Sequence, residues 1–154
     1  MSLSTLRQLA KDIAESERML KQAELDKEET INLMQQMLDH SPKVIFWKDT
    51  TGKIIGCNKS CEQLMGLSRD ELVGKTITDL FNDYQVDLFS AADTIALKTG
   101  EYEYDISFKA PTGKIVEARV NVWRSNNLDG DTTGVIIFAY SMTPNGALCQ
   151  QMSG

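Results

Sequence analysis

The first 38 residues contain neither proline nor glycine, and Ala, Leu, Glu, Lys, Gln and Met dominate them. All are good helix formers. The segment therefore reads as one helix of roughly 57 Å, more than the rest of so short a chain can cover. A seven-residue repeat runs along it. One series is Leu6, Ile13, Leu20, Lys27 and Met34; the other is Leu9, Ser16, Ala23, Thr30 and Met37. The first half of this seam is apolar, whereas Ser16, Lys27 and Thr30 weaken the second. Such a seam suits a two-stranded coiled coil that pairs two chains in parallel, matching Leu6 and Leu9 with their own copies. The competing reading is an amphipathic helix lying on its own domain.

His40-Ser41-Pro42 ends the helix, because proline drives the residue before it out of helical geometry. Lys43–Lys48 and Lys53–Cys57 are β-rich and flank the turn Asp49-Thr50-Thr51-Gly52, which predicts a hairpin. Short helices follow. Asn58 is placed to cap 59–65, which stops at Gly66. Ser68-Arg69-Asp70-Glu71 has the form of a capping box before a brief helix ending at Gly74. Thr76–Asp79 repeats the pattern. A longer helix over 84–98 carries Leu88, Ala91, Ala92 and Ile95 on its expected inner face and stops at Gly100. Three strands complete the pattern. Residues 101–109 alternate strictly, with Tyr102, Tyr104, Ile106 and Phe108 on one face. Residues 114–124 put Val116, Ala118, Val120 and Val122 inside and Ile115 and Trp123 outside. Residues 126–134 read as a polar loop. Residues 135–142 are apolar on both faces, as in a central strand, with Phe138 and Tyr140 assigned inward and Val135, Ile137 and Ala139 outward.

The net charge of −6 leaves no basic face to neutralise phosphates, so neither nucleic acid nor an anionic membrane surface is an expected partner. No apolar run approaches the length of a membrane span, and the amino terminus lacks the core of a secretory signal. Cys57, Cys61 and Cys149 make an odd set without zinc spacing, which suits a reducing, cytoplasmic setting. No metal site is expected. His40 is the single histidine.

The hairpin F-W-K-D-T-T-G-K-I-I-G-C-N (46–58), the helix E-Q-L-M-G (62–66), S-R-D-E-L-V-G-K (68–75) before T-D-L-F (78–81), and the turn A-P-T-G-K (110–114) resemble, in order and spacing, a PAS sensory domain. The resemblance covers residues 31–143. It implies an α+β fold: a five-stranded antiparallel sheet of order 2-1-5-4-3 with helices on one face, behind a long amino-terminal helix. The leading helix is similar to the signalling coiled coil of bacterial sensor histidine kinases, diguanylate cyclases and chemoreceptors. The expected organisation is a dimerisation helix over 1–40, a PAS domain over 41–143, and a tail or output linker over 144–154. Ser141-Met142-Thr143 stands where many PAS domains have Asp-Ile-Thr, so the coupling Asp is missing. The eleven residues after Thr143 cannot hold a kinase or cyclase, so the expectation is a sensory module in a homodimer, not itself an enzyme, relaying to an output domain outside this chain.

The resemblance also implies a cavity between the sheet and the long helix. Its expected lining is Phe46 or Trp47, Leu64, Leu80, Leu88, Ile95, Tyr104, Ile106, Val120, Val122, Phe138 and Tyr140. These large side chains suit a small apolar ligand or a filled core. No cofactor is expected. Haem ligation by the long helix would need a histidine there, and no flavin-reactive cysteine motif is present. Cys57 and Cys61 read either as a redox pair or as small buried hydrophobes. A structural dimerisation module without ligand is the alternative function, and a small α+β enzyme a remote one. For an enzyme, Asp79 is the one carboxylate near an interior edge, and it reads better as a local cap. The dimer and outer-face set comprises Leu6, Leu9, Ile13, Leu20, Met34, Ile115, Trp123 and Ile137, with Trp123 as anchor.

Overall fold

The computed structural model describes residues 2–142. Cys149, Thr143 and the segment 144–154 lie outside the described residues. The chain divides into two compact units, one of residues 1–37 and one from Leu38 onward. The first is a single helix, the body of α1 (Leu3–Asp39), and it buries none of its residues. A lone helix has no second element to receive its apolar side chains. Leu6, Leu9, Ile13, Leu20 and Met34 are all exposed.

The second unit runs β1 (Val44–Asp49), β2 (Ile54–Cys57), α2 (Lys59–Met65), α3 (Arg69–Leu72), α4 (Ile77–Leu80), α5 (Asp83–Thr99), β3 (Glu101–Lys109), β4 (Ile115–Asn126) and β5 (Thr132–Ser141). The strands form one antiparallel sheet of order β2-β1-β5-β4-β3. Local chemistry sets the short helices. Ser68 and Glu71 cap α3 reciprocally, the Asn82 side chain accepts from Gln85 N–H at the start of α5, and Gly66 closes α2 in left-handed geometry at φ 71°. Asp79 accepts from the N–H of Thr76, so this carboxylate serves as a cap.

The polar loop expected over 126–134 is shorter than the sequence suggested. Asn127 Oδ1 accepts from the N–H groups of Asp129 and Asp131, which folds the connection into a tight turn. Both strands therefore extend into it. At Gly134 the β5 backbone passes so close to β1 that a Cβ would stand 1.8 Å from Lys48 O. Only glycine fits there, and its φ of 149° is one that L side chains rarely adopt.

The sheet's edges are finished differently. On β2, Ile54 gives its N–H to Lys75 O and takes one from Gly74 N, so the strap between α3 and α4 occupies this edge. On β3, Glu101, Glu103 and Asp105 stand exposed along the other edge.

One buried side chain ties the second unit together. Asn58 has no exposure. Its Oδ1 accepts from Ile45 N and Cys61 N, and its Nδ2 donates to Leu38 O and Lys43 O, all at 2.8–3.1 Å. The last turn of α1 is held further by Asp39, whose carboxylate accepts from Lys59 N at 3.0 Å. Asn58→Ala removes a helix cap and leaves buried main-chain groups unpaired. We expect a loss of about 2–4 kcal/mol in urea unfolding. Asn58→Asp keeps the acceptor but sets a buried carboxylate oxygen against the carbonyls of Leu38 and Lys43, so it should cost at least as much as Asn58→Ala; equal stability of all three proteins would refute the role.

Candidate functional site

Between the inner face of the sheet and helices α2, α4 and α5 lies a cavity of about 40 Å³. That is room for more than one water, since one occupies about 10–15 Å³ by this measure. The inner face is set by alternation in each strand. Val44, Phe46 and Lys48 of β1, Tyr104 and Phe108 of β3, Val120 and Val122 of β4, and Ile137 and Ala139 of β5 all reach it. Across from them stand Leu64 and Met65 of α2, Ile77 of α4, Phe81, and Phe89 and Asp93 of α5. Phe81, Phe89 and Phe108 meet edge to face with ring centres 5.0–6.0 Å apart. Ala92 and Ala96 are the small residues that let α5 seat closely on the sheet.

Within this apolar lining sits a charged pair. Lys48 is 2% exposed, and its Nζ donates to Asp93 Oδ2. Neither ion could stand there alone, because removing a charge from water without a partner is very costly. Burial raises the Asp93 carboxyl above its ordinary value, and the ammonium of Lys48 only partly opposes this. Tyr104 faces the same region. Burial, followed by the charge of Asp93 and the neighbouring Tyr102, pushes its hydroxyl far up. The pair also reaches outward. Lys48, Asp93 and Ile77 line a polar cleft of about 280 Å³ together with Thr50, Thr51, Thr76, Thr78 and Ser90. The ion pair thus stands between the cleft and the inner cavity.

The structure brings Leu64, Tyr104, Val120 and Val122 of the expected lining to the cavity, with Phe46 rather than Trp47. Leu80 and Ile106 pack against the core beside it. Trp47, Phe138 and Tyr140 belong to the opposite face. Trp47 covers Gly56 on β2, Phe138 lies 4.7 Å from the ring of Trp123, and Tyr140 lies under Lys43 at 5.1 Å. Ile137, expected outside, is inside. The register fixes this, since Val120 pairs with Ala139 and Val122 with Ile137, and partners across a ladder share a face. Leu88 and Ile95, each 38% exposed, rim the helix instead of facing in. Seating α5 on Ala92 and Ala96 turns Phe89, Asp93 and Leu97 inward in their place. Sequence reasoning missed Lys48 and Asp93. The available signal was a lysine in phase with Val44 and Phe46, and an aspartate beside Ala92.

On the outer face Ile115 is exposed and Trp123 is 40% exposed, its Nε1 donating to Glu101. Among the described residues, Asn121 Oδ1 on this face is buried without a hydrogen-bond partner. Cys57 and Cys61 are both buried free thiols that share a hydrogen bond. That bond and burial hold Cys61 well above its ordinary value, while the same bond lowers Cys57.

A family model described as the PAS fold matches residues 32–140. A phytochrome of Picea abies is 28% identical over 118 residues; the match takes in 73% of this chain and 10% of the phytochrome. The chain thus spans about a tenth of that relative's length. The PAS domain of a Colwellia psychrerythraea protein superposes with a TM-score of 0.64 at 18% identity, covering 74% of this chain and 98% of the other. VqmA bound to DPO gives 0.65 at 19% identity, covering 79% and 60%.

Asp93 also makes stability depend on pH in a definite direction. Its folded carboxyl is held above the ordinary aspartate value, chiefly by burial. The folded state therefore holds the proton more tightly, and stability contributed by this group is lost as pH rises out of the ordinary carboxylate range. We expect wild type to gain stability relative to Asp93→Asn as pH falls from neutral towards that range, measured as urea midpoints. The opposite slope would mean that the attraction of Lys48 outweighs burial.

Proposed function

The chain belongs to the PAS fold family, and from that premise we propose that it is a sensory module which dimerises through α1 and passes a signal from its inner cavity to an output domain. The observation that carries this reading is the exposed seven-residue seam on a helix that forms a unit by itself. An apolar stripe on a lone helix is stabilised by a matching stripe, and a parallel pair of copies supplies one. We assign residues 1–40 to dimerisation, 41–143 to sensing, and 144–154 to an output linker. The output domain is of the sensor histidine kinase or diguanylate cyclase kind. The free thiols Cys57 and Cys61 suit a cytoplasmic setting.

The path for the signal is the Asn58 carboxamide. It touches the main chain of β1, of α2 and of the last turn of α1, so a displacement of the sheet is felt at the helix end. The outer face, with Ile115, the half-open ring of Trp123 and the unpartnered Asn121 oxygen, supports a second contact surface within the dimer.

Native mass spectrometry of the full chain should report a dimer, and removal of residues 1–37 should shift it towards monomer at micromolar concentration. A truncated chain that stays fully dimeric would refute the role of α1. Trp123→Ala should weaken the full-length dimer; unchanged association and melting would remove the outer face from the interface.

A further inference from the structure

We propose that Cys57 and Cys61 are a redox site: a peroxide oxidises Cys57, Cys61 closes an intrachain disulfide with it, and the bond forms when the hydrogen-bonded clasp beside the last turn of α1 is released. The inference depends neither on an occupant of the cavity nor on dimerisation.

The first observation is reach. Both thiols are free, neither has any exposure, and they share a hydrogen bond, so the two sulfurs already face each other. They stand on either side of Asn58, with Cys57 at the end of β2 and Cys61 in the first turn of α2. Asn58 Oδ1 accepts from Cys61 N, which folds the chain back between them. A covalent bond needs only a short approach along an existing contact.

The second is asymmetry. In the shared hydrogen bond Cys61 keeps its proton and Cys57 accepts, which lowers Cys57 and, with burial, raises Cys61. The thiolate is the nucleophile, so Cys57 reacts first. Its sulfur attacks one peroxide oxygen; an S–O bond forms, the O–O bond breaks, and the departing oxygen leaves as water with the thiol proton. Cys61 then attacks the sulfenic sulfur. An S–S bond forms, the S–O bond breaks, and the hydroxyl leaves as water with the proton of Cys61. Two thiols are oxidised and one peroxide is reduced to two waters. A dithiol reverses the reaction by exchange.

The third is the gate. Buried thiols are ordinarily inert. Here the turn that carries them is held by three successive residues bonded to the segment 38–41. Asn58 Nδ2 donates to Leu38 O, Lys59 N to the Asp39 carboxylate and Ser60 Oγ to Ser41 O, at 2.8–3.0 Å. Oxidant enters when these bonds open, and a disulfide drawn tight across the turn pulls on the same residues. Coupling of this kind is reciprocal: release of the clasp favours oxidation, and oxidation favours release.

The test uses the reduced full chain with Cys149→Ser, which leaves these two of the three cysteines, treated with hydrogen peroxide. Its intact mass should fall by a pair of hydrogens and recover with dithiothreitol, and peptide mapping should join Cys57 to Cys61 within one chain. With Cys61→Ser the reaction should halt at a sulfenic acid on Cys57 that dimedone captures; with Cys57→Ser capture at Cys61 should be several-fold slower. Ser60→Ala removes one bond of the clasp without touching either sulfur, and should speed disulfide formation several-fold. In the oxidised chain the amides of Lys59 and Cys61 should exchange with deuterium faster than in the reduced one. Should a serine variant at either sulfur fail to fold, Cys57→Ala and Cys61→Ala take its place, and the mass and exchange measurements need neither. An unchanged mass, a link between two chains, or oxidation of the pair onward to sulfinic acid would overturn the proposal. So would capture at Cys61 as fast as at Cys57, a Ser60→Ala rate equal to that of the unaltered clasp, or amide exchange indifferent to oxidation. The dimerisation reading would survive any of these results, because it is decided by native mass alone.

Discussion

A single carboxamide holds the sensory unit in register. Asn58 has no contact with water, and its side chain makes hydrogen bonds to main-chain groups of Leu38, Lys43, Ile45 and Cys61. Its own N–H donates to Ile45 O. Each of those main-chain groups would otherwise be a buried polar group in need of a partner. Because one rigid side chain serves them all, the end of α1, the start of β1 and the first turn of α2 hold fixed relative positions. From there the order of the sheet follows. β1 is anchored at its start and flanked by β2 and β5; β5 in turn pairs with β4, and β4 with β3.

The inner face departs from an apolar pattern at two positions. Most of its positions are filled with aliphatic and aromatic side chains, which would close a core by themselves. Lys48 and Asp93 interrupt that pattern. Removing two charges from water is costly, and an apolar pair of similar volume could hold the elements together as well. Once the pair is in place, removing either partner alone would leave the other charge buried and uncompensated.

Much of this was legible in the residues. The unbroken run of helix formers before Pro42 marks α1, and the D-T-T-G turn marks the first hairpin. Ser68 with Glu71 marks α3, and strict alternation over Glu101–Lys109 marks β3 and its faces. What local pattern cannot supply is parity in a strand apolar on both sides. In β5 the larger Phe138 and Tyr140 looked like the buried set, yet they face outward, because register with Val120 and Val122 decides the matter and lies outside β5 itself. In β1 the lysine at 48 argues for a wet face until its partner 45 residues away is known. The rotation of α5 was hidden for a similar reason. Ala92 and Ala96 carry little hydrophobic signal, although their small size sets how the helix sits.

The finished edges of the sheet have a consequence for life at high local concentration. A sheet with open edges polymerises when copies are held close together, since each free strand offers a template to the next. Here the β2 side is taken up by the Gly74–Lys75 strap, and the β3 side carries a line of acidic residues. On that side Arg119 of β4 pairs with Glu103 and Asp105, so those carboxylates are already committed to the neighbouring strand. At the β2 edge Ile54 already has both of its main-chain partners, so a ladder to another strand cannot start from that residue.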